Sequence, residues 1–257
     1  MNKNADEQYN KMVNTPVSIL ITKLAVPTVI SMLVTSIYNM ADTFFVSHIS
    51  TQASAAVGIV FPIMSIIQAC GFTLGMGSGS LISRRLGEKK NDEAVRISST
   101  AFFSAICFGL ILTVLGLVFS SPFMRLVGAS EGVLPYANDY ARYIFWGAPI
   151  MCASFVLNNV LRSEGKAFFS MIALTSGGVI NIFLDFLFIN VFGFGIKGAA
   201  IATLISQLIS FSILLSWFIR GKAICKMNLK YMGGIFVLLQ ILKDTKLIFL
   251  FRKIHRK

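Results

Sequence analysis

Six long apolar runs dominate the chain, at residues 18–47, 56–83, 97–120, 136–160, 169–192 and 198–219. Each is long enough to supply the roughly 20 residues with which a helix crosses a hydrocarbon core. Short segments rich in turn formers or charge separate them: SHISTQAS, RRLGEKKNDEA, SPFMRLVGASEGVLP, RSEGKA and GFGIKG. The pattern predicts an all-α, polytopic membrane protein built as a six-transmembrane-helix bundle. Pro27 inside the first run predicts a kink or tilt, because neighbouring helices can re-satisfy the carbonyl it frees. The polar opening, residues 1–17, has no small-residue cleavage site behind it and reads as a retained cytoplasmic segment. The expected division is therefore 1–17, a bundle at 18–222, and a basic, partly apolar tail at 223–257.

Composition agrees. The chain is 55% hydrophobic and 13% charged, against about 25% charged in ordinary soluble domains. A net charge of +12 would point to nucleic acid in a soluble protein. Here the cations cluster between spans, so they read as orientation signals and contacts to anionic lipid. Arg84, Arg85, Lys89, Lys90 and Arg96 fall between spans 2 and 3; Arg162 and Lys166 between 4 and 5; Arg220, Lys222, Lys226 and Lys230 after span 6. The opposite loops carry only Arg125 and Lys197. By the positive-inside rule, both ends of the six-span unit are expected on the cytoplasmic side. Cys70, Cys107, Cys152 and Cys225 lack CxxC spacing, and His48 and His255 are isolated, so neither a disulfide framework nor a metal centre is supported.

Two acids, Asp42 and Asp185, lie within spans, and an ionisable group at that depth costs about 2.5–3.5 kcal/mol even on lenient insertion scales. Spans 1 and 5 run outward and spans 4 and 6 inward. Counting residues from each end places Asp42, Asp185, Thr203 and Tyr140 in one layer roughly 7–11 Å below the outer boundary. Asn181 lies one turn deeper than Asp185 on the same helix face. Carboxyl, amide, hydroxyl and phenol oxygens at one depth suit sodium, or a proton shared between neighbouring acids. The bland alternative is that each acid bonds a nearby Ser, Tyr or Arg and only fixes packing; Arg142 is the nearest basic candidate. Tyr38, Asn39, Tyr140 and Asn158 are candidates for lining a cavity; Asn158 and Asn159, in the inner half of span 4, are the weaker ones, with packing as an equal alternative. Gly71, Gly75, Gly77 and Gly79 in span 2, and Gly198, Ala199, Ala200 and Ala202 entering span 6, read as close-packing positions. Gly-Met-Gly-Ser-Gly lacks the strand–turn–helix context of a phosphate loop.

The strings YNMADTFFVSHIS, ISRRLGEKKNDEA, LRSEGKA, NIFLDFLFI and GIKGAAIATLISQ, in this order and at these spans, resemble the multidrug and toxic compound extrusion (MATE) transporters of bacteria. The likeness covers about residues 14–222. It implies one six-helix lobe of a twelve-span plasma-membrane antiporter that expels cationic or amphipathic compounds against protons or sodium. No bound cofactor and no enzymatic activity are implied. It also implies an ion-coupling site at Asp42, Asn181, Asp185 and Thr203. Family chains run to about twice this length, so a second lobe, or a second copy of this one, is the expected partner. The tail from 223 is expected to be either a basic amphipathic surface helix or read-through from an interrupted frame, which would leave a truncated chain. Three rivals stand beside this reading: a lipid-linked precursor flippase, a non-transporting fragment, and an intramembrane aspartyl protease. The protease fits poorly, because its acids sit in YD and GxGD strings whereas these sit in NMAD and FLDF.

Overall fold

The computed structural model describes residues 9, 10 and 12–231. Six membrane-length helices are present: α1 (Val17–Ser47), α2 (Thr51–Gly87), α3 (Asn91–Val118), α5 (Leu134–Ser163), α6 (Ala167–Asp185) and α7 (Gly195–Ile219). A short helix, α4 (Ser120–Leu126), sits in the connection between α3 and α5. A π-helical turn (Phe186–Val191) prolongs α6. The six spans and the all-α class are as expected, but the helices overrun their apolar cores. α2 starts at Thr51, since the Ser50 hydroxyl accepts from the Ala53 N–H at 3.0 Å and caps it. It continues to Gly87, with Arg84 and Arg85 favourably placed in its last turn. RRLGEKKNDEA is therefore a tight turn rather than a loop, with Lys89 at φ 60 and Asp92 and Glu93 at the positive end of α3.

α5 is the hub. It packs against α2, α3 and α7, and α6 and α1 are added beyond α7 in turn. Its most apolar window has the lowest hydropathy of the six and is 72% buried, against 6% for α1. This inversion is physical: a helix wrapped by other helices meets little lipid, so it can carry Asn158, Asn159, Ser154 and Tyr140.

Without a hydrophobic drive between helices in lipid, contact rests on small residues and interhelical hydrogen bonds. A Cβ on Gly71 would lie 3.0 Å from Phe155 Cβ, one on Gly75 2.7 Å from Asn159 Nδ2, and one on Gly79 2.6 Å from Ser163 Oγ. These three glycines seat α2 on α5, as their spacing predicts. Gly198 likewise meets the Phe188 backbone. Gly109 and Gly116, which the sequence reading passed over, bring α3 against Pro149 and Phe145 of α5. The Thr113 hydroxyl, between them, donates to the Phe145 carbonyl at 2.6 Å.

At the other end of α5 the buried Glu164 accepts from the Ile224 and Cys225 N–H groups at 2.9 and 2.8 Å. Lys166 Nζ pairs with Glu164 at 3.1 Å and donates to the Lys222 carbonyl at 2.6 Å. Ser99 accepts from Asn228 N–H at 3.0 Å, and Thr100 donates to the Tyr231 carbonyl at 3.1 Å. Residues 222–231 are thus strapped across the ends of α3 and α5, where the sequence suggested only the start of a tail. The tail readings for residues 232–257 lie outside the described residues.

Two outcomes test this packing. Gly109→Leu should cost about 1–3 kcal/mol or more by overpacking, lowering the thermal midpoint of the purified chain. Gly58→Leu, with open space around it, should shift stability by no more than about 0.5 kcal/mol. The strap makes a second prediction. Burial, reinforced by the Glu164 charge, pushes the Cys225 thiol well above its ordinary range, so little reactive thiolate exists near neutral pH. In a chain with Cys70, Cys107 and Cys152 replaced by alanine, Glu164→Ala should raise maleimide labelling of Cys225 on the order of tenfold, the equivalent of one pKa unit.

Candidate functional site

Asp42 comes from the C-terminal half of α1, Asp185 from the last position of α6, and Tyr140 from the first turns of α5; all three are buried. Tyr140 Oη donates to Asp42 Oδ2 at 3.0 Å, joining residues 98 apart in the chain. One turn below Asp185, Asn181 Nδ2 reaches Thr203 Oγ1 on α7 at 3.5 Å. The two carboxylates are near enough for their charges to act on each other, and Asp185 also acts on Tyr140. Counting along helices thus placed on one level a set of side chains that α1, α5, α6 and α7 bring together. Arg142 is exposed and takes no part.

What remains unpaired is as informative. Asp42 Oδ1, Asn181 Oδ1 and both Asp185 oxygens are buried without a hydrogen-bond partner among the described residues. Four acceptor oxygens from three residues are left in this way, and native interiors rarely leave such groups unsatisfied. This set can take a proton or a hard cation. The bland alternative, in which each acid is held by a side-chain donor, describes one oxygen of Asp42 and neither of Asp185.

Asp185 also stands at the junction of α6 with the π turn. Such turns interrupt helices mostly at functional positions. Gly193 and Gly195, at φ 66 and 58, allow the chain to reverse immediately afterwards into α7. No side-chain pattern in NIFLDFLFI announces a wider turn, so sequence reading missed it.

Next to this cluster lies a cavity of about 250 Å³ between α1, α2, α5, α6 and α7. Tyr38, Asn181 and Gln207 line the part nearer the acids, Phe72 and Phe155 its wall, and Asn158 and Arg162 its far end. Tyr38 and Asn158 therefore line it, as expected of them, whereas two other candidates do not. Tyr140 is fully buried and spends its hydroxyl on Asp42. Asn39 turns out of the cavity, and its carbonyl accepts from the Thr43 hydroxyl at 3.0 Å. Asp42, Asp185 and Thr203 do not line it; Asp185 lies one turn along α6 from Asn181, and Thr203 is bonded to Asn181. Asn159 returns its amide to the Phe155 carbonyl at 2.8 Å and packs against Gly75. Sequence reading used Arg162 only as an orientation signal, because a basic residue ending a span ordinarily serves the interface.

Six membrane-length helices around an acid-bearing interior define a multi-pass membrane protein. Residues 27–187 match the MatE family, and the chain belongs to that family. It is 32% identical over 208 residues to the FAD transporter of Shewanella oneidensis, covering 79% of this chain and 46% of that protein. It is 27% identical over 226 residues to the multidrug export protein MepA of Staphylococcus aureus, covering 88% of this chain and 50% of MepA. A solved outward-facing structure of a multidrug resistance MATE family transporter of the MOP superfamily superposes with a TM-score of 0.85 at 30% identity, over 95% of this chain and 55% of that one. These relatives are transporters, not enzymes, which removes the protease reading. The chain spans about half the length of the curated relatives it matches.

A buried, unpaired carboxyl is costly in its ionised form, and exchange for an amide removes that cost. Asp185→Asn should therefore raise the thermal stability of the purified bundle in sodium-free buffer alkaline enough to ionise the carboxyl, while Tyr140→Phe, which strips Asp42 of its donor, should lower it by about 1–3 kcal/mol. Differential scanning fluorimetry of the two variants checks both signs.

Proposed function

We propose that this chain forms the ion-coupling lobe of an antiporter that exports cationic or amphipathic compounds in exchange for protons or sodium. One observation carries the reading: α1 and α6 bury the unpaired acceptors of Asp42, Asn181 and Asp185 beside a cavity of about 250 Å³. In this mechanism Asp42, Asn181, Asp185 and Thr203 hold the ion, and the cavity receives the substrate. Loading the ion changes the charge at the cavity's outer end and ties α1, the least embedded helix, to α6 and α7. An ion drives such a cycle only through its different affinity for the two states. One relative is a multidrug exporter and another an FAD transporter, which leaves the cargo broad.

The proposed arrangement has residues 1–17 and the strapped end of α7 on the cytoplasmic side of a bacterial plasma membrane, supported by the alternation of Lys and Arg between loops. The substrate path is completed by a second six-helix lobe or a second copy of this one. The long exposed apolar face of α1, with Leu33, Ile37, Met40 and Phe44, supports a neighbour there, protein or lipid. A flippase for lipid-linked precursors is less favoured, since the charges nearest the outer end of the cavity are acidic.

The test is dye efflux from cells expressing the chain, alone and with a matching second lobe. Asp42→Asn and Asp185→Asn should each abolish ion-dependent efflux of ethidium while leaving the amount inserted in the membrane unchanged. Export unaffected by either substitution would remove that carboxylate from coupling.

A further inference from the structure

Charge at the strapped end of the bundle is sorted by corner. On the α2–α3 turn both signs meet: Arg85 pairs with Glu88 at 2.9 Å and with Glu93 at 3.0 Å, and Lys90 pairs with Glu88 at 2.9 Å. Lys226 shares an open polar cavity with Asp92 and Glu93. The corner where the last turn of α7 meets the first turn of α6 is different. Residues 166–170 and 216–222 contain no acid. Arg220 and Lys222 are exposed there and form no ion pair among the described residues. The neighbouring acid, Glu164, is fully buried and held by Lys166 and the strap.

Capping of α7 does not account for these two cations. A Schellman turn closes the helix: Lys222 N–H bonds the Trp217 carbonyl at 3.1 Å and Gly221 N–H the Phe218 carbonyl at 3.2 Å, with Gly221 at φ 66. Arg220 N–H takes the Ser216 carbonyl at 2.9 Å. The negative end of the α7 dipole favours both charges but uses none of their side-chain donors. The turn, and the Lys166 bond to the Lys222 carbonyl, fix the backbone so that Lys222 Nζ stands 4.8 Å from the centre of the Trp217 ring. Trp217 in turn lies against Phe169 of α6, with ring centroids 3.9 Å apart. Arg220, three residues after Trp217, is on the same side of α7. From this corner Phe168, Ile172, Val179 and Phe183, spaced to share one helix face, expose an apolar stripe along α6.

Two cations beside an aromatic pair, at the end of an exposed apolar stripe, repeat the layout of a phospholipid: charged headgroup, interface, acyl chain. We propose that this corner binds one acidic phospholipid. Arg220 and Lys222 hold its headgroup phosphate through charge-assisted hydrogen bonds. Trp217 and Phe169 pack beside the glycerol region, and an acyl chain lies along Phe168 and Ile172. A free phosphate would meet the two cations and have no use for the stripe. The sequence suggested contact with anionic lipid wherever basic residues cluster; the structure narrows it to a site between two helices. The site rests neither on ion coupling nor on the substrate cavity, only on the chain crossing a membrane.

Trp146 and Trp217 are the two tryptophans of the chain, so Trp146→Phe leaves Trp217 as the reporter. The purified full chain carrying that change is reconstituted in phosphatidylcholine vesicles with a minor share of either dibrominated phosphatidylglycerol or dibrominated phosphatidylcholine. Bromine quenches tryptophan on contact, and with quencher in both leaflets the orientation of the chain does not matter. Quenching of Trp217 should show the brominated phosphatidylglycerol enriched about fivefold or more over the brominated phosphatidylcholine, the gain from at least one cation at an anionic headgroup. Arg220→Gln with Lys222→Gln should erase the enrichment, and Lys222→Arg should keep it. Arg85→Gln, which removes a charge from the α2–α3 turn instead, should leave it within about twofold. Lys222→Gln alone, expected to lower it at least twofold, serves if the double variant does not fold. Equal quenching by the two lipids overturns the site. So does enrichment that survives the glutamine variants, or that falls as far in Arg85→Gln as in Lys222→Gln, the mark of overall charge. Loss of the enrichment in millimolar inorganic phosphate, at constant ionic strength, would assign the cations to a soluble anion and overturn it too.

Discussion

Everything in this bundle depends on how closely α5 can approach its neighbours. Lipid offers no hydrophobic gain for bringing two apolar helices together, so association has to come from close packing and interhelical hydrogen bonds. Glycines on both flanks of α5, at positions 71, 75 and 79 of α2 and 109 and 116 of α3, let those helices close on it. α5 is thereby withdrawn from lipid. Only then can it carry Tyr140, Ser154, Asn158 and Arg162 through the depth of a bilayer, since each polar group would otherwise face hydrocarbon. The seam of glycines and the polar interior are two aspects of one arrangement.

The same reasoning explains where the acids sit. Asp185 belongs to α6, which packs on α7 with Ser210 donating to the Ala173 carbonyl at 3.0 Å. Asp42 belongs to α1, which is mostly exposed and packs chiefly on α6. A Cβ on Gly178 would lie 2.9 Å from Val34 and 3.1 Å from Tyr38, so here too a glycine brings α1 close to α6. The acid cluster therefore joins a well-embedded pair of helices to a peripheral one. Helices inside the bundle fix the geometry of Asn181, Asp185 and Thr203, and α1 contributes the acid whose position is least constrained.

Much of this was legible in the sequence, because hydrocarbon restricts what a chain can do. The number of spans follows from apolar runs, and the common depth of Asp42, Asp185, Tyr140 and Thr203 follows from rise per residue and alternating direction. Depth, however, does not give azimuth. Tyr140 and Asn39 were candidates for the cavity on equal terms with Tyr38 and Asn158, and only the rotation of each helix separates them. The π turn after Asp185 escaped because backbone hydrogen-bond register leaves no mark in residue type. Gly109 and Gly116 escaped because they are seven apart in an otherwise apolar helix, without the four-residue spacing that marks the seam on α2. The Glu164 clamp escaped for another reason: SEGK reads as a solvated turn until residues 222–231 are folded beneath it.

Satisfaction of polar groups separates structure from chemistry here. Most polar side chains within the spans are accounted for locally: Ser31 donates to the Pro27 carbonyl at 2.7 Å, Thr35 to Ser31 at 2.9 Å, and Ser206 to Thr203 at 2.9 Å. Such bonds return a hydroxyl to its own helix and cost the bundle little. Asp42, Asn181 and Asp185 are exceptions, as are Ser154, Asn158 and Arg162 along the cavity and Ser170 and Thr175 away from it. Scattered unsatisfied groups would be defects of packing. The unpaired acceptors on α1 and α6 lie next to a cavity, so local packing does not account for them and they mark the part of the interior where chemistry is to be sought.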